Sequence, residues 1–164
     1  MSYAVIDVDG TLHVRDATPS ADIIRGEVGG WERGYWEQVR LPVFDNVLRG
    51  FVSETGFPDG LARNVVGSLL LMALGAPAQP YAGPVVITGW DPRGEDGKPK
   101  IGDVPVMPYL SRLHQCVTHT LAGDDTCPNC TDGWRAGVLD TANMVRTAPT
   151  PQIQVFYPGD LGRP

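Results

Sequence analysis

The chain has little of what usually marks a nucleic-acid or membrane protein. Its 164 residues include only two lysines, Lys98 and Lys100, and Lys and Arg are nowhere clustered. Binding to phosphate backbones needs a concentrated basic surface, so a net charge of −6 argues against a nucleic-acid partner. No run of about 18 apolar residues occurs, which excludes a transmembrane helix on sequence grounds. The opening MSYAVIDVDG has neither the basic start nor the apolar stretch of a secretory signal. A cytoplasmic protein is expected. There are only three cysteines, which cannot all pair with one another, and a cytoplasmic setting disfavours disulfides in any case. The thiols need another role.

Glycine (20) and proline (15) are plentiful, which predicts many turns and short elements. An apolar content of 42% is enough for a real core. Residues 3–8 and 11–15 flank Asp9-Gly10, a strong hairpin signal. Ser20 is placed to cap a short helix with Ile23, Ile24 and Val28 facing inward and Gly29-Gly30 ending it. GYWEQVRLP and VFDNVLRGFVSE are rich in aromatic and β-branched residues without a helical stripe, and predict two or three strands.

The clearest helix is expected over residues 61–74, where Leu61, Val65, Leu69 and Met72, with Val66 and Leu70, make a wide apolar face. Gly75 stands at its C-terminal cap. GPVVITG at 83–89 has the composition of a buried strand, and the stretch after it that of a loop or hairpin. Beyond Tyr109 a helix over LSRLHQCVTHTL is followed by the tight loop DDTCPNCTDG, the whole read as an irregular segment. The expected fold class is α+β, with a small mixed or antiparallel sheet and one main buried helix. Its expected organisation is an α+β domain at 1–107, a zinc-binding segment at 108–146, and a linker, short strand (IQVFY) and tail at 147–164.

Two stretches carry chemistry. VIDVDGTL at 5–12 resembles the strand-end motif of haloacid-dehalogenase-type phosphotransferases. In that reading Asp7 attacks phosphorus and Asp9 protonates the leaving oxygen. Thr88 binds the phosphoryl oxygens, Lys98 or Lys100 balances charge, and Asp103 or Asp124-Asp125 holds magnesium. Such roles require parallel strands joined by long crossovers. Only turn-formers separate Thr88 from the lysines, and the chain alternates in strand fashion directly after Gly10. Asp7 and Asp9 are therefore read as residues of a hairpin turn. The magnesium-dependent phosphohydrolase stands as the alternative.

The second stretch is LHQCVTHTLAGDDTCPNC. Cys116 and His119 are three residues apart and share a helical face, and Cys127-Pro-Asn-Cys130 presents two more thiols from a turn. Three soft sulfurs and an imidazole suit tetrahedral zinc. His114 is the alternative ring. Four protein ligands close the site, which makes it structural; nucleobase deaminases pair His-x-Glu with Pro-Cys-x-x-Cys, and that pattern is absent here. A thioredoxin-like redox pair at Cys127 and Cys130 is disfavoured, because TDGW rather than an apolar helix follows.

The strand pair around Val5–Val14, VGGWE at 28–32, the Gly60-x-x-x-Asn64 helix start and GPVVITG at 83–89 together resemble an uncharacterised domain family of phage and plasmid proteins. The resemblance covers residues 2–89. It implies a small α+β domain with no catalytic residues to carry over. The combined expectation is a non-enzymatic accessory protein whose zinc-stabilised segment presents loops to a protein partner, with Trp90 and Trp134 as candidate anchors. A zinc module contacting nucleic acid is the second alternative, disfavoured by the acidity.

Overall fold

Asp9-Gly10 does turn the chain back on itself. Gly10 donates its N–H to the Asp7 carbonyl (2.9 Å), Asp7 N–H pairs with Thr11 O (3.0 Å), and Gly10 takes a positive φ of 90°. A side chain there would be strained, and its Cβ would also lie 2.8 Å from Val66. The computed structural model describes residues 2–29, 35–102 and 107–150. Their elements are β1 (Tyr3–Ile6), β2 (Leu12–Arg15), α1 (Ala21–Glu27), β3 (Trp36–Leu41), α2 (Val43–Asn46), β4 (Leu48–Ser53), α3 (Val65–Ala73), β5 (Val85–Asp91), β6 (Lys100–Gly102), α4 (Met107–Leu121) and α5 (Asp132–Thr147). α2 is one turn in which Phe44 and Asp45 take positive φ.

The fold is α+β. Its sheet runs β2-β1-β5-β4-β3, with β6 also on β5, and every pairing is antiparallel. β5 is central, and Val85–Gly89 are buried without interruption. Side chains alternate across a strand, so the register places Ala4, Ile87 and Gly50 on one face and Val5, Val86 and Phe51 on the other. α3 covers the first face: a Cβ on Gly50 would sit 2.7 Å from a Leu71 methyl. α1 closes over the second, where the Tyr3 hydroxyl donates to Glu27 at 2.9 Å. Ser20 caps α1 through the Ile23 N–H, and Ile24 and Val28 are buried.

The main helix is shorter than the 61–74 stripe predicts. Asn64 caps it, its side chain accepting from Gly67 N–H at 2.7 Å. The preceding residues are extended, with Arg63 bridged to Ala82. Buried Asn64 also donates to Ile6 O (2.8 Å) and Gly83 O (3.0 Å), so the same amide starts the helix and ties it to both neighbouring chain segments. Those bonds outweigh the helical pattern of Leu61.

The helix expected over LSRLHQCVTHTL is α4, but the irregular segment expected after it is instead a second long helix, α5, and both pack on α3. In α4 the residues Leu110, Leu113 and Val117 form a buried line, and in α5 Val138, Ala142 and Val145 do the same. The α5 line is thin and is preceded by Gly133 and Gly137, which hid it in the sequence. Arg63 fastens its end, donating to the carbonyls of Val145 and Ala148. The hydrophobic core is continuous from the sheet through α3 to both helices. The IQVFY strand expected at 153–157 lies outside the described residues. No described helix is long and apolar enough to cross a membrane.

Candidate metal centre

α4 delivers Cys116 to one end of the loop that joins it to α5, and that loop delivers the other two thiols. Gly123, at a positive φ of 79°, ends α4. Asp124 N–H then bonds back to His119 O at 2.9 Å. The Asp124 carboxylate accepts from both the N–H (3.0 Å) and the hydroxyl (2.6 Å) of Thr126, which sets the chain direction into Cys127. The Cys-Pro-Asn-Cys turn closes with Cys130 N–H on Cys127 O at 3.2 Å. Thr131 then caps α5 by accepting from Trp134 N–H.

Arg135, one turn into α5, reaches back over this loop. Its guanidinium donates to the carbonyls of Asp125 (2.7 Å) and Cys127 (3.0 Å) and to the Asp132 carboxylate (3.1 Å). The loop is thus held through its carbonyls by a cation and through Thr126 by Asp124. Neither role was read from the sequence. The Asp-x-Thr spacing is the signal that marks the Asp124 turn.

The result is a triangle of sulfurs. One ligand atom from each of Cys116, Cys127 and Cys130 lies within 4.8 Å of the others, Cys130 buried and the other two half-buried. The Asn129 N–H, with smaller help from the neighbouring thiols, pulls the Cys127 thiol below its usual range. Burial, then the two other cysteines, push the Cys130 thiol up to about 12. Three thiols this close cannot all ionise against one another; a cation among them removes that penalty. The donor set is soft sulfur throughout, and the cluster is consistent with a metal such as zinc.

The predicted fourth ligand is placed differently. His119 lines one cavity of about 320 Å³ with Cys116, Asp124, Thr126 and Cys127. Its ring is not within the sulfur triangle; Nδ1 faces Asp124 Oδ2 at 3.8 Å instead. The other ring is committed elsewhere: His114 Nε2 lies 2.7 Å from Gly10 O. A helix does follow Cys130, contrary to the reading of TDGW as non-helical, because Thr131 and Asp132 start α5 at once.

Among the described residues, those of the alternative phosphohydrolase are not assembled. Asp7 follows β1, whose neighbours are both antiparallel, and its carboxylate meets His13 Nε2 at 2.8 Å. Asp9 accepts from Thr11 N–H, the first cause holding its carboxyl below the usual range. The register puts Ile6 opposite Val85 and Ala4 opposite Ile87, so Thr88 falls at the far end of β1 from Asp7, roughly 13 Å away at about 3.3 Å per residue. Thr88 is buried with its hydroxyl on Gly89 O, and Lys98 is exposed in the β5–β6 turn. Lys100 is 4.0 Å from Glu95, and Asp103 lies outside the described residues. Trp90 is half-buried beneath the Arg49 guanidinium at 4.7 Å, and Trp134 packs against the core, so neither stands free as an anchor.

No family model, curated protein or solved structure matches this chain.

Proposed function

We infer that the chain is a small non-enzymatic accessory protein, cytoplasmic and phage- or plasmid-encoded, in which a structural zinc ion fastens α4 to α5. Cys116, Cys127 and Cys130 are its thiolate ligands and His119 the fourth. The convergence of three sulfurs from two separate elements carries this reading. The connecting loop buries little: of residues 122–129 none is fully buried. A metal supplies there the cohesion that hydrophobic packing does not. The phage and plasmid origin rests on the resemblance of residues 2–89 alone.

The zinc-held loop and the exposed faces of the two helices form the surface offered to a protein partner. Tyr109 and Leu139 are exposed on them, and the Tyr109 ring meets Phe44 edge-on at 5.0 Å. The antiparallel neighbours of β1, which leave Asp7 and Asp9 in a hairpin turn, favour a binding role over phosphate chemistry.

Metal analysis of the purified chain tests the reading. About one zinc per chain is expected, lost in Cys127→Ser and Cys130→Ser. Chelation should raise hydrogen exchange across residues 122–131 and leave β5 protected. Protein that carries no zinc and takes none up overturns it.

A further inference from the structure

We propose that Asp124 is the positioning residue that selects the metal-binding tautomer of His119, so that a carboxylate, a ring and the sulfur triangle act as one unit. The proposal rests on the zinc reading above and adds to it the origin of the fourth ligand.

Four observations point to Asp124 in this role. Its Oδ2 faces His119 Nδ1 at 3.8 Å, and its backbone N–H is bonded to the carbonyl of the same histidine at 2.9 Å. Its Oδ1 is already held by the N–H and hydroxyl of Thr126, the residue before Cys127. One carboxylate oxygen therefore fixes the cysteine loop while the other is left for the ring. Finally, Cys116, His119, Asp124, Thr126 and Cys127 line the same cavity, of about 320 Å³.

The chemistry follows from the two ring nitrogens. A neutral imidazole has one N–H and one lone pair, and only the lone pair binds metal. A carboxylate is purely an acceptor, so it draws the proton to Nδ1 and leaves Nε2 bare for the cation. Ligating histidines are commonly oriented by such a partner, and its loss typically costs about 10–100-fold in metal affinity. The paired carboxylate also makes the ring a stronger donor.

The test is Asp124→Asn in the full chain. Asparagine can still accept from Thr126 through its oxygen, but it turns an amide N–H₂ toward the ring. That favours the opposite tautomer, with hydrogen on Nε2. Zinc affinity, read by competition with a chromophoric chelator, should fall about 10–100-fold. Thr126→Ala, which releases the loop without altering the group facing the ring, should cost clearly less. Cobalt loaded into the wild type should show the absorption of three sulfurs and one nitrogen, and His119→Ala should shift it. Circular dichroism checks that each variant is folded.

Wild-type affinity in Asp124→Asn, a loss no larger than that of Thr126→Ala, or an unchanged cobalt spectrum in His119→Ala overturns the proposal while leaving a cysteine metal site standing. Failure of the wild type to bind zinc or cobalt overturns the zinc reading as well.

Discussion

His114 Nε2 is hydrogen-bonded to the carbonyl oxygen of Gly10, at 2.7 Å and across 104 residues of sequence. The contact joins the two stretches that stand out most in the chain. The Asp-x-Asp-Gly turn is the seat on which α4 docks. The histidine that was the alternative to His119 in the sequence is the one that makes the dock.

This separates the two histidines experimentally. His114→Ala should lower unfolding stability by about 1 kcal/mol, the usual net worth of such a bond. Zinc affinity should be unchanged. Denaturant unfolding and chelator competition on the same protein check both halves.

Asn64 should be far more sensitive. Its amide makes two donations and one acceptance in a site with no solvent exposure. Asn64→Ala removes all three bonds from a fully buried site, at a cost of about 3 kcal/mol or more. Asn64→Asp keeps the cap but loses both donations and buries a charge, so it should not rescue. Thermal unfolding of the two variants measures this.

Alkaline pH should expose the Tyr3–Glu27 bond. Burial, and then the Glu27 carboxylate, push the Tyr3 phenol up to about 12. A group raised in the folded state contributes its full stability below the unfolded value of about 10 and loses it as pH rises through the folded one. The stability difference between wild type and Tyr3→Phe should therefore be constant below pH 10. Above that the wild type should lose ground at about 1.4 kcal/mol per pH unit until about pH 12. Parallel curves from pH 8 to 12 would contradict it.

Asp7 is expected to matter little. Its pair with His13 is more than a third exposed on both sides, and such pairs contribute about 0–1 kcal/mol. Asp7→Asn should shift the melting temperature only slightly. A magnesium-dependent phosphatase assay should read background for both proteins.

The sheet was largely legible because its signals are local. Asp9-Gly10 predicts the hairpin, the unbroken Val85–Gly89 run predicts a strand covered on both faces, and Ser20 predicts a cap. The start of α3 was misjudged because Leu61 continues the apolar stripe while Asn64 spends its amide on distant carbonyls, which no periodicity reveals. α5 was missed because its core line is only two valines and an alanine, in a helix that opens with two glycines. The cysteines were legible as a cluster from spacing alone. The side of the ring that faces Asp124, and the grip of Arg135 on the loop, depend on how α4 and α5 pack.

X-ray absorption at the zinc edge of the metal-loaded chain tests the central claim most directly. The account predicts three sulfurs at about 2.3 Å and one nitrogen at about 2.0 Å. A shell built from oxygen, or with fewer than three sulfurs, would contradict it.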